Sequence, residues 1–205
     1  LVVDAVALSK AAVEGKLFIG AGVTHAMIED GKVEDPAQGY LKQVAGSIAY
    51  RSVRNKGTIG GNLVHADPAG DWPTALRALN AIAVIHGLEG ERNVPLSDFQ
   101  RGLMETCLLE TDILKGVLLP RLSSNARWAY LKFCHKVGEF AHSIGAVVLD
   151  PTLGLANVVL GAAADKPVTL PGVAARLAAG LSAKATSKEV PSFEYESCFI
   201  GMFCC

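Results

Sequence analysis

Val53-Arg54-Asn55-Lys56-Gly57-Thr58-Ile59-Gly60-Gly61-Asn62 is the stretch on which the reading of this chain turns. Adjacent glycines carry no Cβ, so their backbone N–H groups can approach a ligand closely. A run of such amides forms a concave nest for an anion, and a pyrophosphate is a common occupant. Thr58 and Asn62 add side-chain donors on either side of the pair. An ordinary glycine-rich turn is the competing reading, and the glycines alone do not separate the two. Two commoner phosphate motifs are absent. No Gly-Lys-Ser/Thr tripeptide closes a P-loop. Gly20-Ala21-Gly22 sits between a strand and a helix, but His25 stands where a dinucleotide fingerprint needs a small residue, and Asp30-Gly31 cuts the helix short.

Outward from this stretch, Leu1-Val2-Val3 and Leu17-Phe18-Ile19 read as strands. Thr24 predicts an N-cap for a helix through Met27 and Ile28 that ends at Asp30-Gly31. Over 36–49, Tyr40, Leu41, Val44, Ala45 and Ile48 recur at helical spacing. Over 54–71 the glycines and Pro68 leave little periodicity, which predicts a long functional loop. Asp71 then reads as an N-cap, with Pro73 in the first turn and Trp72, Ala75, Leu76 and Leu79 on one face. Strands are predicted at 81–85 and 113–119. Ser123-Ser124-Asn125 is the plausible linker, which places a boundary near Leu122. Strands follow at 128–134, 144–149 and 155–160, then an alanine-rich helix over 173–179 capped by Gly180.

The chain has 205 residues, 50% of them hydrophobic and 19% charged, which is the composition of a folded globular protein. Nineteen Lys and Arg against twenty Asp and Glu give a net charge of −1, without the basic surplus of a nucleic-acid binder. No apolar run reaches the roughly 18 residues of a membrane-spanning helix, and Asp4 and Lys10 break the opening into something other than a signal peptide. The start at Leu1 is expected to mark a processed product or fragment. Five cysteines (Cys107, Cys134, Cys198, Cys204, Cys205) show no CxxC pair and no iron–sulfur spacing, which suits a reducing compartment, and with no export signal read at the start a cytoplasmic location is expected.

Residues 54–62, continued by His65-Ala66-Asp67-Pro68-Ala69-Gly70-Asp71, closely resemble the second flavin-binding segment of molybdenum hydroxylase flavoproteins. These are the FAD-binding medium subunits of the xanthine dehydrogenase and carbon monoxide dehydrogenase family. Tyr130-Leu131-Lys132-Phe133 with Gly138-Glu139-Phe140-Ala141, and Asp112-Ile113-Leu114 leading to Leu119-Pro120, resemble the same family in order and spacing.

The resemblance implies an α+β chain with two parts. An FAD-binding PCMH-type α/β domain, partial and lacking its N-terminal subdomain, would occupy 1–122. A small α+β domain like the carbon monoxide dehydrogenase flavoprotein C-terminal domain would occupy 123–205. It also implies FAD as cofactor. Thr58, Ile59, Gly60, Gly61 and Asn62 would hold the pyrophosphate, Asp71 a hydroxyl-bearing part, and Ile48 would line the site. Leu114 and Lys132 match two further contacts, and Phe140 a residue covering the isoalloxazine ring. Each has a plainer role: Asp71 as helix cap, Lys132 as solvated strand residue, Phe140 as core. His65 and His142 are read as structural or as supports behind the residues that touch the cofactor, and no catalytic residue is expected on this chain.

The implied partners are a molybdenum-cofactor large subunit, a 2Fe-2S small subunit, and NAD or another electron acceptor. The rival reading is a non-flavinylated structural or remnant subunit that keeps only partner interfaces. The first glycine-rich loop of the family is expected to be missing, which would leave half a cofactor site, and the tail from Ala185 departs from the family's helical ending.

Overall fold

The structure, a computed structural model, describes residues 12–13 and 15–180. The strand expected at Leu1-Val2-Val3 and the tail from Ala185 lie outside the described residues.

A short strand β1 (Ala12–Val13) turns into β2 (Lys16–Gly20), whose Leu17 and Ile19 are fully buried. Thr24 caps α1 (His25–Glu29) as expected, its side chain accepting from the Met27 N–H at 3.2 Å. The next helix, α2 (Tyr40–Ser47), is shorter than the periodicity over 36–49 suggests. Gln38 and Gly39 have φ of 57° and 93°, and Ile48 is extended, so helical backbone is confined between them. The predicted loop over 54–71 is a correction: it holds the end of α3 (Arg51–Arg54) and all of α4 (Ile59–His65). Glycines at 60 and 61 are poor helix formers and masked the Ile59/Leu63 spacing of an apolar face. Helix α5 (Asp71–Ala78) follows, with Gly70 rather than Asp71 at the N-cap, so the expected cap is also corrected.

Strands β3 (Ile82–Gly87) and β4 (Gly90–Pro95) form a hairpin. One turn of helix, α6 (Leu96–Phe99), leads into the small pair β5 (Gln100–Gly102) and β6 (Glu105–Thr106). Strand β7 (Ile113–Pro120) then inserts between β2 and β3, giving a five-stranded antiparallel sheet ordered β1-β2-β7-β3-β4. A second antiparallel sheet contains β8 (Arg127–Phe133), β9 (Ser143–Asp150), β10 (Leu155–Gly161) and β11 (Val168–Thr169), ordered β11-β10-β9-β8. The last helix, α7 (Pro171–Ala178), starts on proline and is followed by Gly180 at φ 74°.

The helices α2, α4 and α5 join the two sheets: α4 packs on β7, α2 on β8, and α5 on β9 and β10. Their apolar faces merge into one buried cluster that includes Leu17, Leu76 and Leu119 before Leu122 and Ile144, Val148 and Val159 after it. Trp72, Tyr40 and Phe99 are its largest fully buried side chains. Alternation along β10 explains its uninterrupted apolar run. Val159 faces this cluster, while Val158 and Leu160 face a second one completed by Leu170, Val173 and Ala174 under α7.

Candidate functional site

The site is built from an irregularity in β7. Gly116 pairs with Val84 and Leu114 with Ile85, so Lys115 is left out of the ladder as a bulge. Its carbonyl accepts instead from the Ala21 N–H at 2.8 Å and anchors the segment after β2. That segment grips the start of α4. Ile59 N–H donates to the Val23 carbonyl and Gly60 N–H to the Ala21 carbonyl, both at 3.0 Å, while His25 N–H donates to the Gly57 carbonyl at 3.0 Å. Thr58 caps the helix, its Oγ1 accepting from Gly61 N–H at 2.9 Å. Asn62 N–H completes the first turn on the Thr58 carbonyl at 3.1 Å.

Every amide from Ile59 to Asn62 is therefore partnered within the chain, and the expected nest of free amides is not formed. The glycine at 60 answers a packing demand. A Cβ there would lie 2.4 Å from Ala21 Cβ and 2.8 Å from its Cα and carbonyl oxygen. What remains toward a ligand are side-chain donors: the Thr58 hydroxyl, whose oxygen accepts but whose hydrogen is unassigned, and Asn62 Nδ2. Asn62 is oriented by its Oδ1, which accepts from Trp72 N–H at 3.3 Å and so links α4 to the start of α5.

One residue before Trp72, Asp71 sits in a buried polar cluster. Tyr130 Oη donates to Asp71 Oδ1 at 2.6 Å, and Lys132 Nζ lies 3.0 Å from Asp71 Oδ2. The Ser47 hydroxyl, shared with the Val44 carbonyl at 2.7 Å, lies 3.2 Å from Oδ1. Lys132 also reaches the Ser47 carbonyl at 3.4 Å. The Lys132 and Asp71 side chains are only 7% and 6% exposed. Burial, reinforced by the Asp71 carboxylate, holds the Tyr130 phenol protonated well above its usual range. Neither plainer role foreseen for Asp71 and Lys132 holds, since Asp71 does not cap α5 and Lys132 is not solvated.

Ile48 is buried next to Ser47, and its carbonyl accepts from Arg54 Nη1 at 2.9 Å. Arg54 also bonds the Ala49 carbonyl at 2.9 Å, where φ is 41°, and grips Glu29 through Nε and Nη2. That grip holds the Glu29 carboxyl below its ordinary range. Leu114 is buried beside the bulge. Phe140 is 66% exposed on the connection from β8 to β9, where a Cβ at Gly138 would meet the Tyr50 ring at 2.9 Å. His65 and His142 are exposed, and the His142 ring packs edge-on against His135 at 4.4 Å.

Thr58, Asn62, Asp71 and Lys132 thus lie along one hydrogen-bonded path, with Ile48 beside it through Ser47. Leu114 shares the buried apolar cluster with Ile48 and Trp72, and among the described residues no side-chain hydrogen bond joins Leu114 or Phe140 to that path. Sequence reasoning missed Ser47, Tyr130 as a partner of Asp71, and the pair His25–Trp72. The period-2 alternation of Trp128, Tyr130 and Lys132 on the inner face of β8 was the signal available for Tyr130.

His25 is buried with its Nδ1 accepting from Trp72 Nε1 at 3.0 Å, which assigns the neutral tautomer with hydrogen on Nε2. Burial pushes its pKa from 6.5 down to about 4, against a smaller opposing pull from Asp71. Between those values the unfolded chain binds a proton that the folded chain rejects, so stability falls as pH drops through this window. We expect a loss of roughly 2–3 kcal/mol by pH 4 from this group. Urea midpoints measured from pH 7 to pH 4 check it: a His25→Gln chain should show a shallower decline, and identical slopes would refute the assignment.

Three comparisons bear on this geometry. The family described as the FAD binding domain in molybdopterin dehydrogenase matches residues 5–122. The medium subunit of nicotine 6-hydroxylase from Paenarthrobacter nicotinovorans is 33% identical over 159 residues, covering 74% of this chain and 54% of the relative. The carbon monoxide dehydrogenase medium chain of Hydrogenophaga pseudoflava is 37% identical over 109 residues, 53% of this chain and 38% of the relative. A solved carbon monoxide dehydrogenase from H. pseudoflava superposes with a TM-score of 0.73 at 28% identity, over 88% of this chain and 63% of that one. The chain spans about half the length of the curated relatives it matches. With more than half of its residues matched and the fold shared, this chain belongs to the family of FAD-binding domains of molybdopterin dehydrogenases.

Proposed function

We propose that this chain is the FAD-holding, electron-transfer part of a molybdenum-containing hydroxylase. In this reading 1–122 forms the flavin domain and 123–205 the smaller domain. A molybdenum-cofactor large subunit and a 2Fe-2S small subunit are its partners in the cytoplasm, and NAD or another acceptor receives the electrons. The observation that carries the reading is the path from Thr58 through Asn62 and Trp72 to Asp71 and Lys132. Four residues matching the family's flavin contacts are linked there by hydrogen bonds and by the Asp71–Trp72 peptide link.

The donor set fits the group through side chains. The Thr58 hydroxyl and Asn62 Nδ2 suit oxygens of a diphosphate or ribityl chain, and Ile48 offers apolar lining. Bound FAD supplies a centre that accepts electrons singly and releases them as a pair. The chain's own contribution is position: Trp72 N–H orients Asn62 through its Oδ1, and Gly61 N–H holds the Thr58 oxygen in place.

Titration of FAD into the full chain, followed by flavin fluorescence, tests the reading. Thr58→Val and Asn62→Leu should each weaken binding by about tenfold, the loss of one hydrogen bond of ordinary strength. Equal affinity in both variants would refute the assignment of these donors. The paired amides of Ile59 to Asn62 favour a second reading, a structural subunit without flavin. An unaltered chain that shows no saturable FAD binding would establish that one instead.

A further inference from the structure

A second polar site lies at the opposite end of α5 from Asp71. Arg77 is six residues further along, about 9 Å up the helix axis. It lines a cavity of 140 Å³ at the seam between the two sheets, together with Asn80, Ser97, Asn157 and Thr169. The guanidinium is held at two of its three nitrogens: Nε donates to Thr169 Oγ1 at 3.0 Å and Nη1 to the Ser97 carbonyl at 3.3 Å. Among the described residues Nη2 has no partner and no carboxylate comes within 4.0 Å of the group. Burial pulls the Arg77 pKa down, and Asp98 opposes this through space without touching it.

The neighbouring amides are arranged in the same sense. Asn157 Nδ2 donates to the Ala78 carbonyl at 2.9 Å and to Asn80 Oδ1 at 2.7 Å, and among the described residues Asn80 Nδ2 has no acceptor. Asn80 has φ 51°, a left-handed conformation that asparagine tolerates better than most residues. Three of the five Arg77 N–H groups are unpaired among the described residues, and Arg77, Asn80, Ser97 and Thr169 line one cavity. A half-desolvated cation without a contacting carboxylate is costly unless an anion completes it.

We infer that this cavity binds a small oxyanion, with the Arg77 fork and the Asn80 amide as its principal donors. The space suits a free phosphate or a short carboxylate. Because Ser97 belongs to the first half of the chain and Thr169 to the second, the anion would brace the two halves. This site is separate from the flavin path and stands whether or not FAD binds.

The test is a titration of the full chain with inorganic phosphate and, separately, with succinate, at constant ionic strength set by chloride. The readouts are the side-chain amide resonances of Asn80 and Asn157 and the melting temperature. Saturable shifts confined to these groups, with a rise in melting temperature, are expected. A response to phosphate alone or to succinate alone names the source, and both support the site. Arg77→Gln should abolish saturation, and Asn80→Gly, which suits the backbone, should weaken binding about tenfold. Non-saturating shifts, or shifts unchanged in Asn80→Gly and Arg77→Gln, would overturn the inference.

Discussion

Gly60→Ala is expected to destabilise the chain by about 3 kcal/mol in the absence of any ligand, the upper part of the range for overpacking a core. The added Cβ would sit 2.4 Å from Ala21 Cβ and 2.8 Å from two Ala21 backbone atoms. Neither neighbour can swing aside as a long side chain would. Ala21 is held by its own N–H on the Lys115 bulge carbonyl and by its carbonyl on Gly60 N–H, at 2.8 and 3.0 Å. For a chain of this size the melting temperature should fall by on the order of 10 °C.

Gly61→Ala is the control, since its Cβ meets only Thr58 Oγ1 at 3.0 Å and it lies on the exposed side of the turn. Its gain in helix propensity offsets that contact, so it should melt close to the parent. Ala21→Gly in the Gly60→Ala background should recover part of the loss, because it removes the Cβ–Cβ overlap and leaves the backbone contacts. A Gly60→Ala chain that melts with its parent would mean that the glycine serves ligand approach and not packing.

This outcome turns on a distinction that sequence alone leaves open. A pair of glycines reads the same whether it admits a phosphate or a neighbouring strand end. The Thr24 cap and the strands at β2, β3, β7 and β8 to β10 were legible because each rests on local rules: a hydroxyl before an apolar turn, or an apolar run between breakers. Helix α4 was hidden by its glycines, and β4 by its ragged Glu-Arg-Asn composition, half exposed along its length. The bulge at Lys115 was hidden because it depends on the register between β3 and β7, thirty residues apart in sequence.

For the site, the family resemblance pointed to Asp71 and Lys132. Their mutual ion pair could not be read from spacing, since 61 residues separate them. Residue type predicted a cap for Asp71, and tertiary packing placed Gly70 there and turned the carboxylate inward toward β8.

That inward carboxylate sets the second large effect. Lys132→Met should cost about 3–5 kcal/mol, because it leaves the Asp71 charge buried with its counter-ion gone. Tyr130→Phe removes one donor to the same carboxylate and should cost about 1.5–3 kcal/mol, as hydrogen bonds to charged groups do. The double change Asp71→Leu with Lys132→Met should recover part of the loss, since an apolar pair of similar size replaces both charges while the buried Tyr130 hydroxyl loses its acceptor. A double-mutant cycle by urea denaturation measures the coupling, and additive losses would show that the 3.0 Å contact carries no mutual dependence.

The cycle also decides how the site is used. If Asp71 and Lys132 serve the fold alone, the double variant regains stability over Lys132→Met and keeps the chain's FAD affinity. If they also contact the cofactor, stability returns and affinity does not. A split of that kind would show that one buried pair does two jobs, joining α5 to β8 and presenting Lys132 to the flavin.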